Sequence, residues 1–401
     1  MRSEGGISVG REEFIREAIW HGSLDKAREI LAAHPEIARA DIHCAAIVGD
    51  DESVRGFIAA DRSCVQARSG PYNADALNYL GLSKYLRLEP GRTPAFVRAA
   101  TALLDAGANP NTGFWTTGDF PEYESAMYGA AGVAHNPELT RLLLERGADP
   151  NDGEVSYHSP ETGDNRVLHL LVETGKLTPE SLGTMLIRKI DWHDHEGVRY
   201  LLDHGAPAEG ARERGWRALH HALARGNALV VIKMLLDHGA DPQLESGGLT
   251  AVARAAVEGR ADVLAEFKSR GIPVALDGVN ALIAACANDD TARVREIISQ
   301  NPSLLSDLLA RGGTLLARFA GNGNLEGVRA LLDLGVSATA PFAEGDGYFG
   351  IARGTLPIYF AAKRGWPAIV KLLIERGSPS DEKVDELLKL DGRWWEGGPV
   401  S

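Results

Sequence analysis

The stretch Arg217–Gln243, RALHHALARGNALVVIKMLLDHGADPQ, constrains the fold more than any other part of the 401-residue chain. Ala218, Leu219, Ala222 and Leu223 recur at the spacing of one helix face. Gly226-Asn227 interrupts that helix. A second apolar set, Leu229, Val230, Ile232, Met234, Leu235 and Leu236, predicts a second helix that ends at Asp237. Gly239 stands where such a helix closes in the left-handed conformation, which a Cβ would strain, and Pro242 prevents continuation. A single hairpin of this kind has two apolar faces and cannot bury both alone. It needs copies of itself on either side.

Copies are present. Gly107-Ala108-Asn109-Pro110-Asn111 and Gly147-Ala148-Asp149-Pro150-Asn151 repeat the closing marker, and further copies begin at Gly205, Gly239, Gly271, Gly335 and Gly377. The spacing is 34 residues from Gly205 to Gly239 and 32 from Gly239 to Gly271. From Gly271 to Gly335 it is 64, two periods, with Asn301-Pro302-Ser303 near the middle. The spacings of 40 (Gly107 to Gly147) and 42 (Gly335 to Gly377) are too long by one inserted finger, and the 58 between Gly147 and Gly205 is irregular. The reference unit resembles an ankyrin repeat, whose pattern is T-P-L-H-x-A-A-x-x-G-H, a second helix ending L-L-L, then G-A-D-x-N. Leu219, His220, Ala222, Gly226, Leu235, Leu236, Gly239, Ala240 and Asp241 match it. Arg217 and Ala218 replace the Thr-Pro, and Asn227 replaces the turn histidine.

The resemblance covers nearly the whole chain and implies an all-α fold: an ankyrin-repeat solenoid of about ten to eleven helix-turn-helix repeats with extended fingers. Residues 1–12 are expected to be a flexible start, 13–380 one solenoid domain, and 381–401 a cap helix and tail. Trp394-Trp395 is expected to fold back onto the last repeat. The least regular register lies between residues 151 and 200, where Arg166–Thr174, Pro179–Asp191 and Glu196–His204 are the expected helices.

Net charge is −13, and there is no long basic run, which argues against a nucleic-acid partner and against an anionic membrane surface. No run of about 18 apolar residues is present. Cys44, Cys64 and Cys286 are an odd set without paired spacing, which argues against a disulfide framework or a zinc site. The expected location is the cytoplasm.

Departures from the repeat pattern carry the functional reading. Three fingers are overlong: Thr112–Tyr123, Asp152–Asn165 and Pro341–Gly350. The first two follow consecutive repeats and together offer Phe114, Trp115, Tyr123, Glu124, Asp152, Glu154, Tyr157 and His158, with Tyr128 just beyond. Long loops bearing aromatic and ionisable groups either pack on each other or bind something. Arg188-Lys189-Ile190-Asp191-Trp192-His193-Asp194-His195 sets bulky polar residues where the family pattern has alanine and glycine. Asp194 there can cap the next helix, or Arg188, Trp192, His193 and Asp194 can floor a site beneath the two fingers.

The resemblance implies a scaffold that recognises a partner protein through its concave face. The alternative is a small-molecule site, with acid–base chemistry (hydrolase or lyase) by Glu154, His158, His193 and Asp194, between the fingers 112–124 and 151–165 and the turn 188–195. Such a site would take a small polar ligand. No cofactor is expected, and no metal, since His193 and His195 lack a supporting H-E-x-x-H or cysteine pair. Arg217 and Arg254 project from first helices, where each can contact an anion or pair with finger carboxylates. His43, His169 and His220 fall at the family's T-P-L-H position, which implies a bond to the neighbouring finger backbone. His204 and His238 suit the negative end of a helix. Gly345–Gly350 is glycine-rich but precedes no G-K-[ST], so it carries little phosphate-binding signal.

Overall fold

The computed structural model describes residues 4–347 and 350–389. Trp394 and Trp395, with the tail after residue 389, lie outside the described residues. Among those described, helices dominate, and the β-structure amounts to two short hairpins and isolated bridges. No described helix is long and apolar enough to cross a membrane. The architecture is the all-α repeat solenoid that the spacing implies. By its internal packing the chain divides at Arg188/Lys189 into two units, where the sequence shows no linker.

In the first unit a helix already starts at Glu4, inside the stretch read as a flexible start, and runs to Ala18. It pairs with Asp25–Ala33, and Ile42–Ile47 pairs with Asp51–Ala60. Ala76–Gly81, Lys84–Leu88 and Thr93–Asp105 follow, then Ala126–Tyr128 and Pro137–Glu145. Phe14, Ile15, Leu77, Tyr79, Leu80 and Phe96 are fully buried between these pairs. The starts are fixed by side-chain caps. Asp41 accepts from the Cys44 amide, Asp75 from Asn78 and Asn136 from Leu139, each satisfying a donor that the helix leaves open, for about 1 kcal/mol apiece.

Two features here exceed the sequence reading. The segment Gly129–Val133 winds as a wide π-type turn inside the first helix of its repeat. The second finger is not a loop: Gly153–His158 is a helix, capped by Asp152, whose carboxylate accepts from the Glu154 amide at 3.0 Å.

The second unit repeats the motif more regularly. Its pairs are Ala218–Ala224 with Leu229–Asp237, Ala251–Val257 with Ala261–Ser269, Gly278–Ala287 with Thr291–Gln300, Gly312–Gly321 with Leu325–Asp333, and Pro357–Lys363 with Pro367–Glu375. His195–Asp203 precedes them and Glu382–Leu388 follows. Gly239 closes its helix at φ +91°, a conformation that side chains with a Cβ rarely adopt. An unexpected helix, Ser303–Ala310, occupies the interval marked in sequence only by Asn301-Pro302-Ser303.

The turns between paired helices are stitched to one another. The Asn227 amide donates to the Ile190 carbonyl at 3.1 Å, Arg260 to the Asn227 carbonyl at 2.6 Å, and Asn324 to the Gly259 and Ala287 carbonyls at 2.7 and 2.8 Å. His220 reaches the Leu249 carbonyl at 2.9 Å, as His43 in the first unit reaches Ala67 at 2.8 Å. His204 and His238 each turn Nδ1 to a carbonyl one turn back, at 2.7 and 2.8 Å.

Candidate functional site

The first finger is a β-hairpin in which Gly113–Trp115 pairs antiparallel with Tyr123–Ser125. Its base is tied to the repeats beneath. Asn78, fully buried, donates to the Glu124 carbonyl at 2.8 Å, and Arg68 donates to the Gly113 carbonyl at 2.7 Å. Alternation along the strand then sends neighbours to opposite sides. Phe114 is buried, stacked on Tyr72 at 5.0 Å and edge-on to Trp20 at 5.6 Å. Trp115 points out, 65 % exposed, against Tyr123 at 5.2 Å, and Phe120 at the tip is 88 % exposed.

The same strand register turns Glu124 inward. Its side chain is 3 % exposed, and its Oε2 has no hydrogen-bond partner. Burial, with Glu154 and Glu122 nearby, pushes its carboxyl up to about 8, so the group is protonated at neutral pH. Asp152 is likewise raised by burial, partly offset by bonds from Ser125 and the Glu154 amide.

Glu154, His158 and Glu161 lie on successive turns at the second finger. The His158 ring is bracketed: Nδ1 is 2.7 Å from Glu161 and Nε2 3.3 Å from Glu154. Burial disfavours its charge, but the hydrogen bonds to Glu154 and Glu161 outweigh it and hold the imidazole at about 9. It is therefore a doubly donating imidazolium at pH 7. Glu161 is half-buried, yet His158 and Arg188 keep it below the ordinary carboxylate range. The Arg188 guanidinium pairs with Glu161 and lies over the Tyr157 ring at 4.1 Å. Tyr157 and Tyr128 flank His158 at 4.8 and 5.4 Å, and Gly132 of the π-type turn leaves room for both Tyr128 and His158.

Of the residues singled out in sequence, Glu124, Tyr128, Asp152, Glu154, Tyr157, His158 and Arg188 thus form one neighbourhood in the first unit. Glu161 belongs to it and was missed, as were Trp20 and Tyr72 behind Phe114. Once the finger is a helix, Glu154 and His158 stand one turn apart at i and i+4, and Glu161 follows in the turn just beyond the helix end.

Trp192, His193 and Asp194 fall in the second unit, and Asp194 takes the capping role. It accepts from the Gly197 amide at 2.9 Å and pairs at 2.8 Å with Lys189, which is fully buried. His193 sits at φ +50°, and burial, with Arg364 and His195 nearby, lowers its ring to about 3, so it is neutral. Arg217 pairs with Glu209 at 3.4 Å and Arg254 with Glu258 at 3.4 Å.

Residues 156–246 and 185–274 match the family model described as ankyrin repeats in three copies. No curated protein matches the chain. Among solved structures, the crystal structure of the human ASB11 ankyrin repeat domain is similar at 20 % identity, covering 53 % of this chain and 89 % of that one with a TM-score of 0.40. With the family model matched over residues 156–274, the chain carries ankyrin repeats there, and helix pairs closed by glycine at similar spacing continue on both sides.

Proposed function

We propose that the protein is a binding scaffold whose first finger docks a partner protein. Ankyrin repeats are generally protein–protein interaction scaffolds, so the coarse class follows from the family. The finer reading rests on one observation: a hairpin anchored at its base by Asn78 and Arg68 holds Trp115 and Phe120 out at 65 % and 88 % exposure. Large aromatics on a stiff support bury much area for little lost side-chain entropy, which makes them frequent anchors at protein interfaces. The test is photo-crosslinking from Phe120, replaced by a photoreactive phenylalanine, compared with pull-down by a Trp115→Ser/Phe120→Ser variant. A partner that crosslinks at the tip and is lost from the variant supports the reading. Equal retention by the variant refutes it.

A second reading has its own support. Glu124, protonated and with an unsatisfied buried oxygen, lies close to Glu154 and the His158 imidazolium, so one cluster holds a proton donor and a carboxylate acceptor. This favours acid–base work on a small polar ligand. Incubation with a metabolite library, read by mass spectrometry, tests it: turnover abolished by Glu124→Gln supports it, and turnover by neither protein removes it.

A further inference from the structure

The second unit encloses a cavity of about 690 Å³ between its first helices and the third finger. That volume suits a ligand of metabolite size. Its lining is chemically mixed. It holds basic side chains, Arg225, Arg254, Arg318, Lys363, Arg364 and Lys383, together with apolar and aromatic ones such as Phe342, Leu356, Tyr359 and Phe360. Among the described lining residues the basic side chains number six and the acidic ones three, Glu258, Glu344 and Asp346, in a chain whose net charge is −13.

The three lining carboxylates, together with Asp191 on Arg225 at 2.9 Å, face four guanidiniums, so the positive surplus is that of the two lining lysines. Glu258 serves both Arg254, at 3.4 Å, and Arg318, at 3.5 Å. The Arg254 Nε is buried with no hydrogen-bond partner. Lys383 lies over the Tyr359 ring at 5.5 Å. Burial, partly offset by Glu258, brings the Arg364 guanidinium down to about 10, still charged at pH 7, and burial raises the Glu258 carboxyl. Protonating Glu258 would leave the positive excess larger still.

The repeat explains how the cations converge. Arg225, Glu258, Asn322 and Arg364 occupy the same place in four first helices, just before the turn. His221, Arg254, Arg318 and Phe360 stand one turn earlier. The third finger then closes over them: the Asp346 carboxylate takes a bond from Arg225 at 2.6 Å, and Glu344 one from Arg318 at 2.7 Å.

We infer that this cavity binds a small organic anion with a compact dianionic head, phosphate or dicarboxylate, on an apolar or aromatic body. The head would lie among Arg254, Arg318 and Lys383, while the body would lie along Phe342 and Phe360. Neither the partner-docking finger nor the Glu124 cluster is involved, so this site stands or falls separately.

Calorimetric titration of the full chain tests it, with 1-naphthyl phosphate, phthalate, inorganic phosphate and uncharged 1-naphthol as probes. At least one dianion should bind saturably at or below about 1 mM, and 1-naphthol should not. Tighter binding by the phosphate or the dicarboxylate assigns the head group. Arg254→Met and Lys383→Met should each weaken binding by about tenfold or more. Lys383 is exposed on the last described helix, so its variant separates lost binding from lost folding. Equal binding of 1-naphthol, no saturable heat from any probe, or full affinity in both variants would overturn the inference.

Discussion

Replacing Glu124 with glutamine should flatten the decline of stability at alkaline pH. The carboxyl sits at about 8 in the folded chain against an ordinary 4.5, chiefly because the side chain is buried. Between those values the folded protein holds a proton that the unfolded chain has released. The native state then binds more protons, so stability falls as pH rises. At about 1.4 kcal/mol per pKa unit, Glu124 alone removes on the order of 4 kcal/mol between pH 5 and pH 9. His158 adds a loss of the same sign. Its pKa is raised to about 9 from 6.5, so its stabilisation is complete below 6.5 and disappears as pH passes through 9. The wild type should therefore lose stability steeply, and Glu124→Gln should keep only the histidine's share. Gln preserves the shape of the protonated carboxyl, so the two proteins should be nearly equal at pH 5. Urea unfolding followed by circular dichroism, at half-unit pH steps from 5 to 9, measures the difference. Parallel curves would mean that Glu124 ionises as an ordinary carboxylate, and the account of this cluster would fail.

Three further outcomes are expected. Asp194→Ala should destabilise the second unit by about 3–5 kcal/mol, because it removes the helix cap and leaves the buried Lys189 without this carboxylate; Asp194→Asn should restore the share due to the cap, both read by tryptophan fluorescence in urea. Gly226→Ala should cost about 1–3 kcal/mol, since Gly226 sits at φ +66° and a methyl there meets the Arg364 guanidinium, as differential scanning calorimetry would register. Cys44 and Cys286, buried with thiols pushed up to about 12, should resist iodoacetamide at pH 8 in the native protein, while the partly exposed Cys64 is alkylated first, as intact-mass spectra would report.

The repeat itself was legible because its signals are local. Gly239, the Leu235-Leu236 pair and the His220 position each fix a backbone state or a packing contact within one unit. The fingers were less so. The Asp-Gly start of Gly153–His158 resembles a turn, which hides the helical spacing of Glu154 and His158 and the turn that brings Glu161 back to them. Burial of Glu124 could not be seen either: it depends on hairpin register and on Asn78, 46 residues earlier in the chain. Arg254 was noted as a possible anion contact. The cavity was not, because the convergence of its basic side chains appears only when equivalent positions of separate repeats are superposed. Asp194 shows the reverse, where the plain capping role was visible in the residue type alone.

The bonds from Arg225 to Asp346 and from Arg364 to the Arg225 carbonyl join points 121 and 139 residues apart. A row of repeats ordinarily couples only adjacent members and frays from its ends. Here an early member is tied to a late one, so partial melting of the intervening hairpins would have to release that tie as well. During synthesis, with the N-terminal side emerging first, the first bond must wait for the third finger and the second for the helix Pro357–Lys363 and the Arg364 that caps it, so truncation before that helix should leave Arg225 with the first contact and without the second.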